Sequence, residues 1–261
     1  MNFSTDGLVI REQKIKEGNK VVTVLTRDRG VIRAFANGTG SIKSSKNTAT
    51  GLITYSCFDI FLNSKGIYTI DDAHAKDVFM PLRQDVEKMS AAQYFCELIE
   101  HLAPRDVNAE EQLRLILNSL YMIANDKRPT ELVKCIFELR LMTISGYVPD
   151  LVCCRDCRCY EDDNMRFLPE SGQIICGSCF EKYTNNTEHI ERSFFIGKTL
   201  TNAMRHCVYS EFNKLFSFRL SDKSTFSLGN ITEYYCTMRI GKEMKTLEFY
   251  KMIRNTTDDK G

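Results

Sequence analysis

Residues 20–36 read KVVTVLTRDRGVIRAFA, and this stretch decides the fold of the N-terminal part of the chain. Two runs rich in β-branched residues flank Arg-Asp-Arg-Gly, a sequence typical of a tight hairpin turn. Three similar runs lie on either side, at residues 7–12, 51–62 and 66–71. Five short strands in about 70 residues predict a five-stranded barrel of OB type, because closing the sheet removes its exposed edges. An SH3-like barrel has a similar strand count and remains an alternative.

Beyond about residue 85 the apolar residues recur at helical spacing. Capping residues predict helices that begin near Ser90, Asn108 and Thr130, the last of them ending at Gly146. Residues 198–209 and 230–253 are also predicted to be helical.

These patterns predict an α+β protein of several domains, with a barrel, an α-helical body and an inserted four-cysteine zinc finger. The predicted parts are the OB-fold DNA-binding domain 1–80, the first helical part 81–150, the zinc finger 151–182 and the C-terminal helical part 183–261.

Four cysteines have the spacing of a zinc ribbon. Cys154-x2-Cys157 and Cys176-x2-Cys179 are separated by 18 residues, and each pair offers two thiolates to one side of a tetrahedral ion. Four thiolates leave no open coordination position, so we predict one structural Zn²⁺ per chain. The neighbouring Cys153 and Cys159 are alternative ligands on spacing alone.

The net charge of +1 conceals a basic N-terminal stretch. Residues 11–46 contain nine lysines and arginines against three acids, an excess that suits contacts to phosphates. A loop rich in Gly, Ser, Thr and Lys, residues 37–50, is predicted to be flexible. The predicted DNA-binding residues are Arg27, Arg29, Arg33, Lys43 and Lys46. For the aromatic Phe35 and Tyr55 the pattern favours the barrel core over base stacking.

No catalytic constellation is found in the sequence. Gly197-Lys198-Thr199 resembles the end of a phosphate loop, but Arg192 stands where that loop needs glycine. We therefore expect the chain not to be an enzyme. No apolar run of membrane-spanning length occurs and the N-terminus lacks the features of a secretory signal, so we expect a cytoplasmic location and no membrane partner.

Three groups of residues carry a family resemblance: Asp6–Ile10 with Val24–Val31, Gly38 and Lys43-Ser44; Phe137–Met142 with Gly146–Leu151 and Cys154-x2-Cys157; and Gly172-x3-Cys176-x2-Cys179. Together they resemble the bacterial RecO family of DNA repair proteins in the RecFOR pathway. The resemblance covers essentially the whole chain, and the run Gly-Tyr-x-Pro-x-Leu-x2-Cys-x2-Cys is fairly specific to the family.

The resemblance implies a recombination mediator with an OB-fold, a helical domain and a zinc finger. Such proteins bind single- and double-stranded DNA, anneal complementary strands and, with RecR, help RecA replace single-strand-binding protein. It also implies a nucleoid-associated location in the cytoplasm. Two other functions stay open from the residues: a zinc adaptor that binds only proteins, and an RNA-binding protein with a barrel and a zinc ribbon.

Overall fold

The computed structural model describes residues 1–15, 18–39, 45–186 and 189–258. Its strands are β1 (Asn2–Lys14), β2 (Lys20–Thr26), β3 (Gly30–Ala36), β4 (Tyr55–Leu62), β5 (Tyr68–Asp77), β6 (Arg166–Leu168), β7 (Gln173–Ile175) and β8 (Phe194–Phe195). Its helices are α1 (Ser45–Ala49), α2 (Met80–Arg83), α3 (Val86–Leu102), α4 (Glu110–Ala124), α5 (Thr130–Ile144), α6 (Gly177–Asn186), α7 (Gly197–Tyr209), α8 (Asp222–Ile240) and α9 (Lys245–Asp258).

The chain divides into two compact units. The first consists of residues 1–127 together with the chain from residue 244 onward, and the second of residues 128–243. The domain boundaries at residues 80, 150 and 182 stay a prediction. Within the described ranges, no helix combines the length and the hydrophobicity needed to cross a membrane.

The first five strands form a closed barrel in the order β1-β2-β3-β5-β4. Strand β1 pairs with both β2 and β4, and β3 pairs with β5 in parallel. This order confirms the OB-type prediction over the SH3-like alternative. Alternation along the strands places one face inside the barrel, and the inside is filled by aliphatic residues and Phe58.

A β-bulge in β1 changes which side chains point outward. The register with β2 shifts between Val9, which lies in the core, and Arg11, which pairs with Thr23. The extra residue reverses the alternation, so Arg11 lies on the outer face and is exposed. Glu12 then points inward, where its carboxylate lies 3.1 Å from the buried Nζ of Lys20.

The turn between β2 and β3 packs closely against the segment after α3. Val31 donates its N–H to the carbonyl of Pro104 at 2.9 Å. A Cβ at Gly30 would lie 2.0 Å from that same oxygen, and Gly30 has φ +60°. Glycine is therefore required here for two reasons: it tolerates the positive φ, and it has no Cβ to clash with the Pro104 carbonyl.

The helices of the first unit depart from the prediction in two places. Helix α3 begins at Val86, not at Ser90, because Asp85 caps it by accepting the N–H of Lys88. Residues 45–49 of the loop predicted to be flexible form the short helix α1. Helix α9 packs against α3, where its Thr246 N–H donates to the carboxylate of Glu97 at 3.2 Å.

The second unit is built around helix α5, which packs against α7 and α8. Eleven consecutive residues of α5, Leu132–Met142, are buried. Strands β6, β7 and β8 form a small sheet in the order β7-β6-β8. The helix predicted at 230–253 is wrong as a single element, since Gly241 adopts φ +68° and ends α8 at Ile240.

A buried ion pair links α5 to α8. The Nζ of Lys134 lies 3.0 Å from Glu138, and both side chains are almost fully buried. The Thr232 hydroxyl on α8 donates to the same carboxylate at 2.6 Å. Burial alone lowers the pKa of Lys134, but the neighbouring carboxylates, led by Glu138, outweigh it and raise this pKa above its ordinary value.

Candidate metal centre and nucleic-acid interface

The four predicted zinc ligands come together in the second unit. The Sγ atoms of Cys154, Cys157, Cys176 and Cys179 all lie within 4.8 Å of one another. Cys157 and Cys176 are 3.6 Å apart at sulfur. A tetrahedral ion with Zn–S bonds of 2.3 Å requires sulfur atoms about 3.8 Å apart. The cluster therefore has the size of a zinc site.

The hairpin of β6 and β7 brings the two cysteine pairs together. Cys176 follows β7 directly, and Cys179 lies in the first turn of α6. A Cβ at Gly177 would lie 2.7 Å from the Cβ of Asn164, so only glycine fits between the two ligands at this point. On the other side, Cys154 accepts the Arg158 N–H at its carbonyl and closes a tight turn.

The two alternative ligands lie outside the cluster. The thiol of Cys159 donates to the carbonyl of Glu161 at 2.9 Å, and the sulfur of Cys153 lies 3.9 Å from the guanidinium of Arg158. Neither belongs to the group of side chains that could hold a metal among the described residues. The geometry therefore selects the four cysteines of the two Cys-x2-Cys pairs.

Two of the four sulfur atoms, those of Cys154 and Cys176, receive hydrogen bonds from nearby groups. The backbone N–H of Cys176 points at the sulfur of Cys154 at 3.4 Å. Burial raises the pKa of the Cys176 thiol, but hydrogen bonds from the Ser178 hydroxyl and the Cys179 N–H outweigh it and lower this pKa to about 7. A set of four sulfur ligands is typical of structural Zn²⁺. The residues present thus fit a zinc ion.

The outer face of the barrel carries the second candidate site. Arg33 and Phe35 alternate with buried residues on β3, and both are exposed. Phe35 pairs with Thr69 of β5, and Thr69 pairs in turn with Phe61 of β4. Both phenylalanines are 40% exposed. The prediction that Phe35 belongs to the barrel core is therefore wrong.

Arg11 was missed by the sequence analysis as a site residue. It shares Thr23 as a cross-strand neighbour with Arg33, so the two guanidinium groups stand on one row of the outer face. Arg11 also forms an ion pair with Glu100 at 3.1 Å. Recognising this arginine required the bulge in β1, because simple alternation from Val9 places residue 11 inside the barrel.

Three of the other predicted DNA-binding residues, Arg27, Arg29 and Lys46, do not belong to this row. Arg27 in the hairpin turn is exposed but pairs with Asp6 at 3.2 Å. Arg29 is half-buried and lies over the ring of Phe3 at 4.7 Å. Lys46 donates to the carbonyls of Ile70 and Asp71.

These contacts distinguish roles that the sequence grouped together. Lys46 uses its ammonium group to fasten α1 to β5, and Tyr55 uses its hydroxyl in a bond to Asp6 at 3.3 Å. Lys43 lies outside the described residues. Of the five predicted residues, Arg33 is exposed on the open outer face next to an exposed aromatic ring.

Comparison with known proteins agrees with this architecture. The family model described as Recombination protein O N terminal matches residues 1–79, and the one described as Recombination protein O C terminal matches residues 83–248. The chain belongs to the RecO family.

Relatives of this RecO family member match between two thirds and nearly all of its length. A protein of Acetivibrio thermocellus named DNA repair protein RecO is 29% identical over 255 residues, covering 97% of this chain and 98% of that protein. One of the same name from Symbiobacterium thermophilum is 25% identical over 256 residues, with coverage of 97% and 98%. Another from Alkaliphilus metalliredigens is 30% identical over 179 residues, or 69% of this chain and 72% of that protein.

Proposed function

We propose that this chain is a DNA repair and recombination mediator that binds single- and double-stranded DNA in the cytoplasm and anneals complementary strands. With RecR it would help load RecA onto DNA coated by single-strand-binding protein. Membership of the RecO family supports the repair role. Its activity on DNA would require no catalytic residue, because base pairing itself drives annealing.

The observation that carries the proposal is the outer face of the barrel. Arg11 and Arg33 stand on one row, and Phe35 follows two residues after Arg33 on the same face. Arginines neutralise phosphates, while exposed aromatic rings stack on unpaired bases. A single strand lying across β1, β2 and β3 would meet both kinds of contact, and this is the face that OB folds commonly use.

Annealing follows from partial neutralisation of the strands. Two strands repel each other through their phosphates, and every phosphate contact with an arginine removes part of that repulsion. A platform of few aromatic rings leaves most bases free to pair. We therefore expect the barrel to hold a strand without covering its pairing edges.

The four cysteines would hold a structural Zn²⁺ that fixes the β6–β7 hairpin to α6. Acidic residues surround this part of the chain, among them Asp156, Glu161 and Asp163. Together with a cluster that carries a net negative charge, they disfavour contact with phosphates. We therefore assign DNA binding to the barrel and a stabilising role to the zinc finger.

Binding titrations at several salt concentrations test this proposal. Full-length, zinc-loaded protein is titrated with fluorescent single-stranded DNA, double-stranded DNA and structured RNA. We expect affinity for single-stranded DNA to fall steeply with salt and to exceed affinity for the RNA. A flat salt dependence would favour the protein-binding adaptor, and tighter binding of the RNA would favour the RNA-binding alternative.

A further inference from the structure

A pocket in the second unit combines an arginine, aromatic rings and polar side chains between β8 and α8. Its volume is about 530 Å³. Strand β8 contributes Phe194 and Phe195, and α8 contributes residues at helical spacing on one face: Ser227, Asn230, Tyr234 and Thr237. Neither the zinc site nor the barrel uses any of these residues.

Arg192 contacts two aromatic rings of the pocket. Its guanidinium carbon lies 4.4 Å from the ring centre of Tyr234 and 5.0 Å from that of Phe194. The side chain forms no ion pair with any residue in the described part of the chain. Stacking fixes the plane of the guanidinium and leaves its N–H groups for an anion. The pocket thus offers a guanidinium that has no ion-pair partner among the described residues, beside exposed aromatic surface.

The pocket also contains one carboxylate, that of Glu233, which shares Lys134 with the buried Glu138. Glu233 lies 3.5 Å from the Nζ of Lys134. The side chains of Asn230 and Thr237 line the pocket and form no hydrogen bond with another residue that the structure describes. Phe195, at the rim, is 57% exposed.

We propose that this pocket binds a nucleotide of single-stranded DNA and gives the chain a second strand-binding site. Arg192 would contact the phosphate, Phe195 or Tyr234 would stack on the base, and Asn230 would hydrogen bond to its edge. A purely apolar anchor of a peptide would leave the polar groups of α8 without partners, which is costly. The inference rests on the proposed function, since annealing requires two strands to be held.

Photo-crosslinking of the full chain to an oligothymidylate that carries 5-bromouracil tests the proposal. We expect crosslinked peptides from two places, the barrel and the pocket, with Tyr234, Phe194 or Phe195 modified in the second. Arg192→Ala and Arg192→Lys should each abolish the pocket crosslink and weaken binding of the second strand about tenfold. Arg219→Lys, at another exposed arginine of the same unit, is the matched control and should change neither.

The outcomes separate the two proposals. If the unaltered chain binds no DNA, the proposed function itself fails. If it binds DNA, crosslinks only in the barrel, and Arg192→Ala binds and anneals like the unaltered chain, the pocket assignment is wrong and the barrel assignment stands. An acidic peptide that requires Arg192 for binding, in the absence of any pocket crosslink to DNA, would show the pocket to be a peptide site. Melting temperatures of all variants exclude misfolding, and Arg192→Lys keeps the charge should Arg192→Ala be unstable.

Discussion

Phe35 on β3 and Phe61 on β4 flank the same residue, Thr69 of β5, on the outer face of the barrel. Two large apolar rings exposed on either side of one small residue form a platform that water solvates poorly. Unpaired bases would cover such rings and gain stacking energy. This arrangement leads to the first prediction.

Replacing either ring should weaken binding of single-stranded DNA. We expect Phe35→Ala to cost about 1–3 kcal/mol of binding free energy, the range of one base–aromatic stack. Fluorescence anisotropy at fixed salt measures the effect. Phe249→Ala on α9 removes a ring of similar exposure from outside the barrel and should leave the affinity unchanged. Equal losses in both variants would contradict the platform.

Arg33 and Lys46 should behave differently although the sequence suggested one role for both. Arg33→Gln removes a phosphate contact, so the slope of log K against log salt should decrease by about 0.7. Lys46→Gln removes bonds to two carbonyls and should lower the melting temperature instead. Lys242→Gln, which removes one charge from the second unit, serves as the control for net charge. A slope change in Lys46→Gln equal to that in Arg33→Gln would contradict the distinction.

These two residues show where reasoning from sequence ends. The strands, the barrel and the four cysteines follow from local patterns, because alternation and Cys-x2-Cys spacing are set by nearby residues. The partners of a lysine are set by distant ones: Lys46 bonds to carbonyls 24 and 25 residues away. Arg11 lies on the outer face only because of the bulge in β1, and no pattern in the sequence predicted this bulge.

Zinc content and stability should change together. We expect one Zn²⁺ per chain by elemental analysis, and we expect Cys176→Ser to lose it and to melt at a lower temperature because the ligand set also closes the hairpin. Cys159→Ser, at a thiol that points to the Glu161 carbonyl, is the matched control and should keep both. Loss of zinc without any change in melting temperature would argue against a structural role.

The buried ion pair should respond strongly to removal of one partner. Lys134→Met leaves Glu138 buried without its counter-charge and should cost about 3–5 kcal/mol of unfolding free energy. Lys214→Met disrupts an ion pair between exposed side chains and should change stability by less than about 1 kcal/mol. Urea denaturation compares the two variants, and equal effects would contradict the importance of burial.

The ion pair of Lys134 and Glu138 also makes the stability of the fold depend on pH. Because the pKa of Lys134 is raised in the folded state, its contribution is fully present below the unfolded pKa of about 10.4. The contribution of Lys134 to folding stability disappears only as the pH rises through its raised pKa in the folded state. The difference in stability between the unaltered chain and Lys134→Met should thus not decrease from pH 7 to about 9.5, and ionisation of the buried Glu138 in the variant can only increase it. A difference that already shrinks across this range would contradict the raised pKa.

Two variants distinguish the effect of close packing at Gly30 on stability from the effect of its backbone conformation. Gly30→Ala places a Cβ against the Pro104 carbonyl, whereas Gly66→Ala introduces the same kind of positive-φ strain with nothing within 4 Å. We expect Gly66→Ala to cost about 1–2 kcal/mol and Gly30→Ala to cost clearly more. Thermal unfolding of both variants provides the comparison, and equal destabilisation would mean that the turn moves away from Pro104 without penalty.

The most direct test of the central claim is the annealing rate of two complementary oligonucleotides coated with single-strand-binding protein, followed by fluorescence. We predict that the folded, zinc-loaded chain accelerates annealing, and that high salt or the double variant Arg33→Gln with Phe35→Ala removes the acceleration. If the same preparation leaves the rate unchanged, the chain is not an annealing mediator on its own.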